Sequence, residues 1–224
     1  MINKRKLFFI TLVSTVMILM LVGIAAAINP MNISWIPRPT SIVYGTALSS
    51  GQLDATATDP TTENPIAGAF AYTDQNNNSL TQGQVLPAGT HTVTANFTTD
   101  DPNYNSGVTV TAQITVAQAT PKITWSNPAD ICQSIPLSYD QLDASATNPI
   151  SGAVLPGTFY YNPDVGTVLR EGQNQSLNVT FVQGDSTNYT TASQTVHINV
   201  NECPEKHGFF HQTEYSTFLP FQWG

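Results

Sequence analysis

The chain has 224 residues, of which 41% are hydrophobic and only 10% charged, with a formal net charge of −8. This length suits one large domain or two of about a hundred residues each, and the apolar share is enough for a buried core, which excludes wholesale disorder. Scarce Lys and Arg exclude a nucleic-acid binder that neutralises phosphates, and scarce charge of either sign argues against long solvated helices.

The N-terminus opens with Lys4-Arg5-Lys6, then an apolar run from Leu7 to Ala27, broken only by Thr11, Ser14, Thr15 and Gly23. A basic start, an apolar centre and the small residues Ala25-Ala26-Ala27 make a secretory signal cut after Ala27. The run is also long enough to stay in a bilayer, so residues 1–28 are read as a signal peptide or an N-terminal membrane anchor over 7–27. Both readings place the remainder outside the cytoplasm, extracellular or at the cell surface. Past residue 27 only Arg38, Lys122, Arg170 and Lys206 offset fifteen acidic residues, giving a net charge of about −11. Such a surface stays soluble and repels polyanions.

The rest of the chain repeats itself. Ile33-Ser34-Trp35 returns as Ile123-Thr124-Trp125, and Gln52-Leu53-Asp54-Ala55-Thr56-Ala57-Thr58 as Gln141-Leu142-Asp143-Ala144-Ser145-Ala146-Thr147. Gly68-Ala69-Phe70-Ala71-Tyr72 returns as Gly157-Thr158-Phe159-Tyr160-Tyr161, and Val85-Leu86 with Gly89 as Val168-Leu169 with Gly172. Phe97 before Asn103-Tyr104 matches Phe181 before Asn188-Tyr189, and Ile114-Thr115-Val116 matches Ile198-Asn199-Val200. The matches keep one order at offsets between 83 and 90.

Within each copy the hydrophobic period is two. Val93, Ala95 and Phe97 alternate with Thr92, Thr94 and Asn96, and Val108 to Val116 alternate with Thr109, Thr111, Gln113 and Thr115. Leu177, Val179 and Phe181, and then Val196, Ile198 and Val200, repeat the pattern in copy two. These are one-sided strands punctuated by Pro and Gly, about six or seven per copy, with no helical periodicity after the N-terminal run. The expected fold is all-β: two tandem immunoglobulin-like β-sandwiches, residues 32–117 and 121–201, joined by Ala117-Gln118-Ala119-Thr120-Pro121. Trp35 and Trp125 open their units and are expected to pack at one end of each sandwich. Residues 202–224 form a C-terminal tail rich in aromatics.

On these motifs each unit resembles the Ig-like repeats of MBG/YDG type found in tandem on bacterial and archaeal cell-surface proteins. The resemblance spans about residues 32–201 and implies the fold and a surface location, while such repeats serve as spacers, adhesive modules and scaffold pieces. Copy one keeps the family's Tyr44-Gly45-Thr46-Ala47-Leu48-Ser49. Copy two reads Gln133-Ser134-Ile135-Pro136-Leu137-Ser138 and lacks Tyr-Gly-Thr, so the turn read in copy one does not carry over from sequence. Extra residues around Asn76-Asn77-Asn78-Ser79 give copy one a longer hairpin loop.

No nucleophile elbow, phosphate loop, metalloprotease helix or dinucleotide fingerprint occurs, and no catalytic residue, cofactor or metal site is assigned. Asp54 and Asp143 occupy equivalent places in separate units and read as exposed strand or turn residues, not an acid–base pair. Asp100-Asp101-Pro102-Asn103 and Asp185-Ser186-Thr187-Asn188 read as Asx-rich turns ahead of calcium loops. Sequons at Asn32, Asn77, Asn96, Asn174, Asn178 and Asn188 are candidate N-glycosylation sites in an exported chain. Cys132 and Cys203 are a candidate disulfide, for which export provides the compartment. A rival metal set of Cys203, His207 and His211 needs a helix that Pro204 and Gly208 disfavour. The tail's Phe209, Phe210, Tyr215, Phe218, Phe221 and Trp223 suit docking on a partner or membrane interface.

The expected function is non-enzymatic: an exported surface protein acting as an adhesive or structural Ig-like module or spacer. Its partners would be other surface proteins or glycans, and the membrane if the N-terminal segment is kept, but not nucleic acid. The alternative is a carbohydrate-binding or accessory module of an extracellular enzyme system, with Tyr72, Tyr160 or Tyr161 as an aromatic platform.

Overall fold

A computed structural model describes residues 28–203. The apolar run over 7–27 and the tail from Pro204 onward, with its aromatics, His207 and His211, lie outside the described residues. Every described element is a strand. Among the described residues no helix is long and apolar enough to cross a membrane. The chain divides into two compact units at Ala119/Thr120, and Asp185–Thr190 is grouped with the first although it lies inside the second repeat by sequence.

The first unit contains β1 (Asn32–Ser34), β2 (Ser41–Val43), β3 (Thr56–Thr58), β4 (Ala69–Thr73), β5 (Ser79–Leu80), β6 (Gly89–Thr98) and β7 (Val108–Ala117). The larger sheet runs β2-β7-β6-β4-β5, and β1 pairs with β3 in a separate ribbon. β6 and β7 form its antiparallel spine, from Gly89 opposite Val116 to Phe97 opposite Val108. β2 joins the far edge of β7 in parallel. The strict alternation of β6 places His91, Val93, Ala95 and Phe97 inward, and Thr92 and Asn96 in solvent. Trp35, Ile42, Leu48, Leu80, Leu86, Val93, Ala95, Ile114 and Val116 form one core, with Tyr44, Phe70 and Tyr72 packed against it. The extra residues of copy one build the β4–β5 hairpin. There Asp74 accepts hydrogen bonds from the Asn76 and Asn78 amides, and Asn77 takes φ of 64°.

Within this unit Asp185–Thr190 is held by named bonds. The Ala88 amide donates to Asn188 Oδ1 at 2.7 Å, Gln118 Nε2 donates to the Ser186 carbonyl at 2.8 Å, and the Tyr189 ring meets Tyr44 edge-on at 5.3 Å.

The second unit contains β8 (Lys122–Thr124), β9 (Ile131–Cys132), β10 (Ser145–Thr147), β11 (Gly157–Asn162), β12 (Gly172–Gln183) and β13 (Ala192–Asn201). Its larger sheet runs β11-β12-β13-β9, and β8 pairs with β10. Here too the first strand of the large sheet, β9, lies parallel to the last, β13. Trp125, Ile131, Leu137, Leu142, Leu177, Val179, Val196, Ile198 and Val200 form its core. The turn missing from the sequence of copy two is nevertheless kept. Gly45 takes φ of 95° and Ser134 takes φ of 73°, followed by Thr46 N–H to Val43 O and Ile135 N–H to Cys132 O. Ser134 therefore adopts the left-handed conformation that glycine adopts without steric cost.

Candidate functional site

The repeated motifs converge, but as architecture. In the first unit the indole of Trp35, buried just after β1, donates to the Gln52 carbonyl at 3.0 Å. The Gln52 side chain is itself buried. Its Oε1 accepts from the Ser49 amide and hydroxyl at 2.9 and 2.7 Å, and its Nε2 donates to the Arg38 carbonyl at 3.0 Å. Tyr72 packs 5.3 Å from Trp35, and its hydroxyl accepts the Ala55 amide at 2.9 Å. The second unit repeats the set. Trp125 donates to Gln141 O at 3.0 Å, Ser138 donates to Gln141 Oε1, and Ala144 N–H donates to the Tyr161 hydroxyl at 3.0 Å, with Tyr161 5.4 Å from Trp125. Burial raises the pKa of both tyrosines, and the carboxylates of Asp54 and Asp143 reinforce the shift. The Trp, Gln and Tyr of each motif thus pair buried or part-buried polar groups that would otherwise cost free energy.

This arrangement removes Tyr72 and Tyr161 from any sugar platform, because their rings pack in the cores. Tyr160 points the other way and is 60% exposed. Asp54 and Asp143 are exposed in separate units. The acidic loops use their carboxylates within the turns. Asp101 Oδ1 accepts from Asn103 N and Nδ2, and Asp185 Oδ2 accepts from Asn188 Nδ2 at 2.7 Å. Among the described residues no cluster of three His, Cys, Asp or Glu is placed to hold a metal ion. Of the sequons, Asn32, Asn77, Asn96, Asn174 and Asn178 are exposed, with Asn96 on the solvent face of β6. Asn188 is half-buried, and both ends of its amide are bonded.

A cleft of about 420 Å³ opens in the second unit between Trp125–Ala129 and the Asp140–Ser145 segment, lined by Ser126, Asn127, Asp140, Asp143 and Ser145. The segments that face each other here differ between the copies: five residues, 126–130, lie between Trp125 and Ile131, against six, 36–41, between Trp35 and Ile42. In the first unit the equivalent segments touch: Arg38 N–H donates to Gly51 O at 2.6 Å, and a Cβ at Gly51 would lie 2.4 Å from Arg38 O. Asp140 stands where Gly51 stands, so this approach is closed to the second unit. The 126–130 segment is tied to β13 instead, through His197 N–H to Asn127 Oδ1 at 2.9 Å and Asn199 Nδ2 to Asp130 Oδ1 at 3.1 Å. Tyr139, beside Asp140 in the chain, is 72% exposed. Sequence reading missed this cleft. The available signals were the Gly51/Asp140 mismatch and the shorter 126–130 segment between otherwise matched motifs.

The two thiols stand together at the end of the second unit's sheet. Cys132 lies opposite Asn201 in the parallel β9–β13 pair, and the Cys203 Sγ donates to the Gln133 carbonyl at 3.1 Å. The Cys132 thiol, with some desolvation, holds the Cys203 thiol above its ordinary pKa.

No family model matches the chain, and no curated protein matches it. Among solved structures, the chain is similar to the fibronectin(III)-like modules of Clostridium thermocellum CbhA at 13% identity and a TM-score of 0.24, covering 81% of this chain and all of that one. Another is Drosophila N-cadherin EC1-3, at 12% identity and a TM-score of 0.27, covering 78% of this chain and 68% of that one.

Proposed function

We propose that this is an exported, non-enzymatic surface protein of tandem Ig-like repeats of MBG/YDG type, acting as an adhesive or structural module or spacer. Residues 1–28 deliver it across the membrane or hold it there. The observation that carries this reading is where the repeated motifs go. Trp, Gln, Tyr and Phe of both copies are consumed in two separately cored β bodies, while the outward faces of strands such as β6 and β7 offer Thr, Asn and Gln. Uncharged hydroxyls and amides suit contact with glycans or other surface proteins, and the acidic balance disfavours nucleic acid. The test is protease shaving of intact host cells followed by adhesion assays of a deletion strain. Release of fragments from 32–201 and reduced adhesion or cell–cell spacing are expected. Retention of an intact, protease-shielded chain inside the cell refutes the proposal.

A second reading, a carbohydrate-binding module, is favoured by the cleft of the second unit. Two carboxylates, serine hydroxyls and an asparagine line it and match the hydrogen-bonding groups that sugars use, and Tyr139, next to Asp140 in the chain, is an exposed ring. Glycan-array binding lost in Asp143→Asn and Tyr139→Ala, with the fold intact, supports it. Binding unchanged by both variants removes the cleft from consideration.

A further inference from the structure

Cys132 and Cys203 are about seventy residues apart in sequence, yet they bracket the point where the second unit's large sheet closes. β9 enters the sheet as Ile131-Cys132 in parallel register with Val200-Asn201, and the Gln133 amide continues the ladder by donating to Asn201 O at 2.8 Å. Cys203 follows two positions later and reaches back to the Gln133 carbonyl. Both thiols are half-buried and unbridged, and the Cys132 thiol is the Cys203 thiol's side-chain neighbour. The first unit closes by the same parallel pairing of β2 with β7, through Tyr44 N–H to Ala117 O and Thr115 N–H to Thr40 O, but without cysteines.

We infer that Cys132 and Cys203 form an intramolecular disulfide in the exported protein, and that this bond is a load bypass for the second repeat. The inference rests on the proposed surface role only for its oxidising compartment. The step is thiol–disulfide exchange. One cysteine thiolate attacks the disulfide of a small-molecule or enzyme oxidant, giving a mixed disulfide. The second thiolate then displaces the oxidant's thiol, so the protein loses two hydrogens and the oxidant gains two electrons and two protons.

The mechanical consequence follows from topology. A pull along the chain enters the second unit upstream of β9 and leaves it past β13. Because these strands are parallel, the load falls on their hydrogen bonds in shear. With the bond in place, tension passes from Cys132 directly to Cys203, and the roughly seventy residues between them cannot extend. The first repeat has no cysteines to cross-link its closing strands and yields under the same pull.

The test has two arms. Purified full chain is oxidised with glutathione disulfide and analysed by intact mass and peptide mapping, which reads the geometry without reference to location. The expected product is a monomer two hydrogens lighter with a Cys132–Cys203 cross-linked peptide. Mixed disulfides that never resolve, or disulfide-linked dimers, overturn the inference. Oxidised and reduced chain, and the Cys132→Ser/Cys203→Ser variant, are then pulled end to end in a force instrument. Reduced and variant chain should show an extension event from the second repeat that oxidised chain lacks, a difference on the order of 250 Å of contour length. The oxidised chain's second repeat should also be harder to unfold in denaturant, its unfolding constant falling on the order of a thousandfold in the chain-entropy account. Equal extension in both redox states overturns the bypass. The protein isolated from its host is mapped in parallel: two free thiols there, with ready bridging in vitro, refute the oxidising location and leave the thiol geometry intact.

Discussion

Gly157 begins β11, and the Phe181 ring of β12 lies directly over it. A Cβ built there would sit 2.5 Å from Phe181 Cε2 and Cζ, and 2.6 Å from the Val182 carbonyl oxygen. Carbon atoms in van der Waals contact are separated by about 3.5–4.0 Å, so an alanine has to open the site by roughly 1 Å. Phe181 is fully buried and its ring packs 4.7 Å from Phe159, so it has nowhere to swing, and the Val182 oxygen is backbone. Forced overpacking of this kind costs about 1–3 kcal/mol. Loss of glycine's unfolded-state freedom works the other way, by about 0.4–1 kcal/mol. The clash wins, and Gly157→Ala should destabilise the second unit by about 1–2 kcal/mol, lowering its melting temperature by roughly 4–16 °C. Gly184 is the control: a Cβ there meets nothing within 4 Å and its φ is not positive, so Gly184→Ala should be neutral or slightly stabilising. Equilibrium denaturation followed by tryptophan fluorescence reads both. If the two variants agree to within about 0.5 kcal/mol, the packing argument is wrong. Gly68 repeats the geometry in the first unit, with its Cβ position 2.5 Å from Phe97 Cζ, so Gly68→Ala is expected to behave likewise.

Asp59 is held down to a pKa of about 2, first by the Tyr104 hydroxyl, which donates to its Oδ2 at 2.6 Å, and then by the Thr62 and Thr61 amides. A depressed carboxyl stabilises the fold above its unfolded pKa, and that stability is lost as pH falls through the folded value. Asp59→Asn should therefore weaken the first unit at neutral pH, with the gap to wild type closing between about pH 4 and pH 2; a gap independent of pH in acid titrations would contradict the assignment. Tyr161→Phe keeps the ring on Trp125 but leaves the Ala144 amide without its acceptor, and should cost about 1–2 kcal/mol in urea denaturation, whereas a loss below about 0.3 kcal/mol would mean that water replaces the hydroxyl.

Much of this molecule is legible without coordinates. Alternation at Val93-Ala95-Phe97 and Val196-Ile198-Val200 is enough for strands with one wet face, because side chains of an extended chain point to opposite sides in turn. Matching motifs in one order are enough for two β units, because equal patterns bury equal faces. The meaning of the motifs is a tertiary matter. Gly157 and Phe181 are matched as separate motifs, and only strand pairing lays the ring on the glycine. Tyr72 and Tyr161 look like binding aromatics until the fold turns their hydroxyls onto the Ala55 and Ala144 amides. The absent Tyr-Gly-Thr of copy two leaves its turn open in the sequence, yet Ser134 adopts the left-handed conformation and Ile135 N–H bonds Cys132 O as Thr46 N–H bonds Val43 O. The cleft, the grouping of Asp185–Thr190 with the first unit, and the meeting of Cys132 with Cys203 all depend on contacts between residues distant in sequence. A periodic pattern specifies which face of each strand is apolar. Which strands close together, and which side chains then meet, is decided only when the whole core is packed.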